Sequence, residues 1–189
     1  MLAIFGILLG GYGVLDAMAS GTSLLLPRDA YIKAHREEVE KRFGDSGPVL
    51  REAIVQMTER QAEAVYSRRG VALPLAAIDL ILSFLMMAGC LRALRRLGWG
   101  LSAWLLSVKL IIPYMVLSCA FSMMRARDMA AIFRDAPPPL SGFAQMGLSL
   151  HTLWTLMRST FVILYCGTCI LYLRRPHIRA LFRSDPPAA

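Results

Sequence analysis

Residues 101–124 read LSAWLLSVKLIIPYMVLSCAFSMM, an apolar run whose one ionisable side chain is Lys109. At about 1.5 Å per residue a helix of that length spans roughly 36 Å, enough to cross a hydrocarbon core of about 30 Å. Three other runs share the pattern: Leu2 to about Leu26 around Asp16, about Leu73 to Leu91 around Asp79, and about Leu150 to Leu173 around Arg158. None alternates as a barrel strand does, and a helix is the other way to satisfy every backbone group in lipid. The expected fold is all-α, a polytopic membrane protein whose 189 residues form a single integral membrane domain, a four-transmembrane-helix bundle.

Composition agrees with that reading. The chain is 56% hydrophobic and 18% charged, against about 45–50% and about 25% in soluble domains. A net charge of +8 raises nucleic acid as a partner, but the excess sits in short Arg clusters beside the apolar runs, which is a topology signal. No Lys/Arg stripe interleaves with aromatics. The expected partners are therefore the lipid bilayer and other membrane-protein subunits or a second copy, with no nucleic acid. A rival for the first run is a cleaved signal peptide, because Ala17-Met18-Ala19 has the small-x-small form of a cleavage site. Against it, no Lys or Arg precedes the apolar stretch, and Asp16 lies just upstream of the site. Cleavage would leave three spans.

Charge asymmetry orients the spans. Arg92, Arg95 and Arg96 occupy the tight turn between the second and third runs, and Arg174, Arg175, Arg179 and Arg183 follow the fourth, with one acid, Asp185. Segment 27–72 carries nine basic and eight acidic residues. The positive-inside rule then puts that turn and both chain ends in the cytoplasm, with the protein in the inner membrane and residues 174–189 a cytoplasmic basic tail. Arg68, Arg69, Arg125 and Arg127, at the opposite ends of the runs, pull the other way.

Segment 27–72 is expected to form an extracytoplasmic αα-hairpin. Its first helix, 28–43, places Ile32, Val39 and Phe43 on one side, with Glu37–Lys41 and Glu38–Arg42 at i,i+4 spacing. Gly44 to Pro48 is a turn, with Pro48 suited to the first position of a second helix that carries Leu50, Ile54, Met57 and Val65 as a stripe. Gly70 and Pro74 allow a bend into the next span. A second outer loop, 125–149, should hold a short helix through Met129 and Phe133, stopped by Pro137, Pro138 and Pro139.

The ionisable residues inside the spans carry the most information. Asp16, Asp79, Lys109 and Arg158 supply one charge per helix, two of each sign. Counted from the cytoplasmic ends, Asp16, Asp79 and Arg158 lie roughly 21 Å up, and Lys109 about 13–14 Å. An unpaired charge there costs at least about 2.5–3.5 kcal/mol, so mutual pairing is expected. Gly6, Gly10, Gly13, Ala17 and Ser20 make a small-residue seam that lets a neighbouring helix approach, with Asp16 at its border. His151, Thr155, Arg158, Val162, Tyr165 and Cys169 form a comparable, more polar seam in the fourth span, and Pro113 lies one turn past Lys109.

Cys166-Gly167-Thr168-Cys169 has CxxC spacing, suited to redox exchange or metal binding. With the span count, these two residues resemble the quinone-linked thiol oxidoreductases of the disulfide-forming and vitamin K epoxide reductase types. That resemblance implies a thiol–disulfide activity at Cys166 and Cys169. It covers those features alone, because the cysteine pair that such families carry in an outer loop is missing here. Met86 and Cys90, at the depth of Cys166 and Cys169, make a soft-metal site the variant of this reading. Cys119 also falls in an apolar run, so no disulfide framework is expected. His35, His151 and His177 are too few and scattered for a haem pair, and Trp99, Trp104 and Trp154 lie where interfacial anchors do.

No glycine-rich phosphate loop, zinc-ligand spacing or nucleophile elbow occurs. The expected function is that of a non-enzymatic accessory or assembly subunit of a membrane complex, with no cofactor. The alternatives are a small ion-coupled transporter built on the four charges, and the thiol or metal chemistry of Cys166 and Cys169.

Overall fold

A computed structural model describes residues 1–43, 47–95, 98–134 and 140–180. Residues 44–46 of the turn expected from Gly44 to Pro48, Arg96, Pro137 to Pro139, Arg183 and Asp185 lie outside the described residues, as do the side chains of Phe43, Leu50 and Arg179. All elements among the described residues are helical: α1 (Leu2–Leu25), α2 (Arg28–Phe43), α3 (Pro48–Ser67), α4 (Arg69–Leu94), α5 (Gly98–Arg134), α6 (Leu140–Leu173) and α7 (Pro176–Ala180). Four of them, α1, α4, α5 and α6, are long and apolar enough to cross a membrane.

The helices outrun the apolar runs that flagged them. α5 has 37 residues, about 55 Å at 1.5 Å each. The short helix expected through Met129 and Phe133 is the continuation of α5, and residues 140–149 are the first turns of α6. Arg125, Arg127 and Asp128 lower hydropathy and end an apolar run, but no Gly or Pro between Tyr114 and Arg134 interrupts the hydrogen-bond ladder. Low hydropathy stops a span; it does not stop a helix. Likewise α4 runs through Gly70 and Pro74, and the chain breaks instead at Arg68, which caps α3 while its carbonyl accepts from Val71 and Ala72 at 3.0 Å.

The chain divides into two compact units: Met1–Ala19 with Leu75–Ser118 and Arg158–Ala189, and Ser20–Pro74 with Cys119–Met157. The core of the first is a cluster that includes Leu82, Met86, Cys90, Trp104, Val108, Ile111, Tyr165, Cys166, Cys169 and Leu173. Trp104 belongs to this core at 4% exposed, whereas Trp99 and Trp154 are exposed. Backbones meet closely enough there to explain the glycines: a Cβ on Gly10 would sit 2.7 Å from the Ser83 carbonyl oxygen, and one on Gly89 the same distance from the Trp104 nitrogen.

In the second unit α2 pairs with α3. Tyr31, Ile54, Val55 and Ala62 are buried, and Ile32, Val39, Met57 and Val65 are half-buried. Pro48 starts α3 as the first-turn rule anticipates. Ion pairs join the helices: Arg28 with Glu63, Arg36 with Glu59 at 3.6 Å and Arg51 with Glu40 at 3.8 Å. Within α2, Glu38 holds Arg42 at 2.6 Å, while Glu37 meets Lys33, one turn back, at 3.9 Å. Such exposed pairs contribute at most about 1 kcal/mol each and orient the helices more than they hold them.

Candidate functional site

Three of the four charges carried by the span-length helices assemble in the first unit. Arg158 Nη1 donates to Asp16 Oδ2 at 2.8 Å, bringing α6 to α1. The same guanidinium lies 5.3 Å from the Tyr12 ring centre, a cation–π contact one turn before Asp16. Asp79 of α4 stands in the field of both Arg158 and Asp16. Its carboxylate accepts from Ser83 Oγ at 3.4 Å and lies beside the Tyr114 hydroxyl of α5, which donates to the Leu75 carbonyl at 3.3 Å. The centre therefore holds two carboxylates and one guanidinium, with the Tyr12 ring of α1 and hydroxyls of α4 and α5 around them.

Local sequence explains the geometry. Gly6, Gly10, Gly13 and Ala17 are buried, so α1 lies against α4 at Ser83 and Cys90 and carries Asp16 to the level of Arg158; Ser20, the last member of that seam, is exposed. With Cβ atoms at Gly6 and Gly13 the helices would collide, the first with Cys90 and Tyr165 and the second with Ser83. Tyr165 adds a second tie, donating to the Leu2 carbonyl at 2.9 Å.

Lys109 does not join them. It is exposed on α5, on a face shared with Leu106, Leu110, Pro113, Val116 and Leu117, and has no hydrogen bond or ion pair among the described residues. The expectation that all four charges pair is corrected here to a centre of three. The reason is rotational: Val108 and Ile111 turn into the core, which leaves position 109 facing out. Tyr12, Ser83 and Tyr114 were not singled out from the sequence. For two of them the signal available was spacing, four residues from a charged position: Tyr12 to Asp16 and Ser83 to Asp79; Tyr114 had no such signal.

The sulfur residues lie in the core of the same unit. Cys90, Cys166 and Cys169 are completely buried, Met86 nearly so, and all four cysteines are free thiols, Cys119 half-buried. Tyr165 touches both Cys90 and Cys169. Cys166 and Cys169 sit on an uninterrupted stretch of α6, both fully buried, with Cys90 of α4 beside Cys169. Among the described residues no three His, Cys, Asp or Glu side chains are arranged to hold a metal ion. In shape, this cluster is close packing of small polarisable side chains.

Comparison with known proteins adds no family: no protein-family model matches the chain, and no curated protein or solved structure matches it either.

Proposed function

We propose that this chain is a small, non-enzymatic multi-pass membrane protein that serves as an accessory or assembly subunit of a larger membrane complex, with the α2–α3 hairpin outside the cytoplasm and both chain ends within it. The observation that carries the reading is Lys109. Within unit one the chain neutralises Arg158 with its own carboxylates, yet it leaves an ammonium on an exposed apolar face of a helix fit to span the bilayer. Facing acyl chains, that charge costs at least about 2.5–3.5 kcal/mol. A partner helix presenting an Asp or Glu at the same depth removes the cost and sets the register of the two helices. Snorkelling to the headgroups is the competing fate.

The test is purification in mild detergent with mass spectrometry of co-eluting chains, wild type against Lys109→Leu. Companions that co-elute with wild type and disappear with the folded variant support the proposal. A wild-type monomer without companions counts against it.

A second reading, an ion-coupled module, rests on Asp79: two carboxylates share one guanidinium beside the hydroxyls of Ser83 and Tyr114. Its mark would be a cation or proton flux into vesicles that Asp79→Asn abolishes while the protein stays folded.

A further inference from the structure

We infer that the second unit binds a small organic anion, a phosphate or carboxylate head on a short apolar body, in a cavity of about 310 Å³ lined by Tyr31, His35, Gln61, Ser122, Arg125 and His151. The inference does not depend on the subunit role proposed above.

Charge selects the ligand class. Among the described residues no carboxylate lines the cavity. Arg28, Arg36, Arg42, Arg51 and Arg68 each have an acidic partner, but Arg125 has none among the described residues. The nearest acid along its helix, Asp128, is taken by Arg68 at 2.6 Å. A guanidinium facing an acid-free cavity with two imidazoles is arranged to receive an oxyanion, which it can hold with two parallel N–H donors.

The cavity is built rather than incidental. α2, α3, α5 and α6 all contribute to it. Tyr31 is 6% exposed. Burial pushes the Tyr31 phenol above its ordinary value, outweighing the opposing pull of Arg125, so the hydroxyl stays protonated and able to donate. His35 is locked against it: Nδ1 meets the Tyr31 carbonyl oxygen at 3.1 Å, and the ring centres are 4.3 Å apart. Gln61 and Ser122 supply further donors, while Val65, Met129 and Leu148 give apolar walls for the body of the ligand. A volume of this size is at the small end of ligand sites, which run from about 300 Å³.

The head could belong to a free solute or to an anionic lipid, and the experiment separates the two. The full chain is placed in phosphatidylcholine nanodiscs with isotope-labelled histidine, and the ring resonances of His35, His151 and His177 are followed by NMR. One arm titrates phenyl phosphate; the other replaces part of the phosphatidylcholine with phosphatidylglycerol. Saturable shifts of His35 and His151, with His177 in the tail unmoved, are expected in at least one arm. A response to phenyl phosphate alone assigns a solute, and a response to phosphatidylglycerol alone assigns a headgroup. Arg125→Gln should weaken binding about tenfold or more, and Tyr31→Phe about threefold to tenfold. If Arg125→Gln fails to fold, Tyr31→Phe decides the matter. Unmoved His35 and His151 in both arms, or wild-type affinity in the folded variants, would overturn the site.

Discussion

Arg158 and Asp16, separated by 142 positions in sequence, meet at 2.8 Å and tie α6 to α1. Their side chains are 32% and 41% exposed, so in lipid the pair would neutralise itself at the edge of the unit rather than in its core. Removing either partner strands the other, and the penalty belongs to the stranded charge more than to the lost contact. Arg158→Leu alone should lower stability in detergent by about 2–4 kcal/mol, while Asp16→Leu with Arg158→Leu recovers most of it. Exchange of the two, Asp16→Arg with Arg158→Asp, should also fold. A double-mutant cycle by thermal unfolding reads the coupling, and additive single losses would refute the pairing.

Gly10 and Gly11 offer a control within one turn. A methyl on Gly10 meets the Ser83 carbonyl oxygen, a backbone atom that cannot swing aside, whereas one on Gly11 meets nothing within 4 Å. Gly10→Ala should destabilise by about 1–3 kcal/mol. Gly11→Ala should be neutral or stabilising by up to about 1 kcal/mol, because it removes helix-interior glycine entropy. Comparing the two melting temperatures checks both.

Lys109→Leu should leave the chain folded and at least as stable as wild type, because no contact among the described residues depends on the ammonium. The informative pair is this melting curve beside the co-purification experiment. A variant that melts lower shows that Lys109 holds the chain itself together.

The thiols should separate by accessibility. N-ethylmaleimide should modify half-buried Cys119 first and reach Cys90, Cys166 and Cys169 only after denaturation. Intact-mass counting of adducts against time gives the order. Rapid modification of Cys166 or Cys169 in the folded protein would support a redox role for them.

Alkaline pH should probe Tyr31. Its phenol is raised above the ordinary value of 10.0 by burial. The folded state therefore holds that proton more tightly than the unfolded chain does. The stability tied to it is fully present below about pH 10 and is lost as pH climbs through the higher folded value. Tyr31→Phe should flatten the alkaline limb of a stability–pH curve.

Much of this architecture could be read from the chain alone. Hydropathy over some twenty positions depends on composition, not on partners, so four span-length helices follow from it. The glycine seam of α1 was equally plain, since spacing of three and four places small residues on one face whatever lies opposite. Depth counting set Lys109 lower than the other three charges, but the expectation was still that all four pair. Helix ends were less legible: α5 carries on through Arg125 and Asp128 because the backbone ladder does not sense the polarity of its side chains.

Tertiary structure alone decided which side chains meet. Each residue advances about 100° around a helix axis, so a modest rotation turns a core position into a lipid-facing one. That rotation is set by packing across the unit, by Val108 and Ile111 on α5 and by Ser83 against Gly10 and Gly13, and no local pattern contains it. Exclusion of Lys109, complete burial of Cys166 and Cys169, and convergence of Tyr31, Arg125 and His151 on one cavity all follow from it.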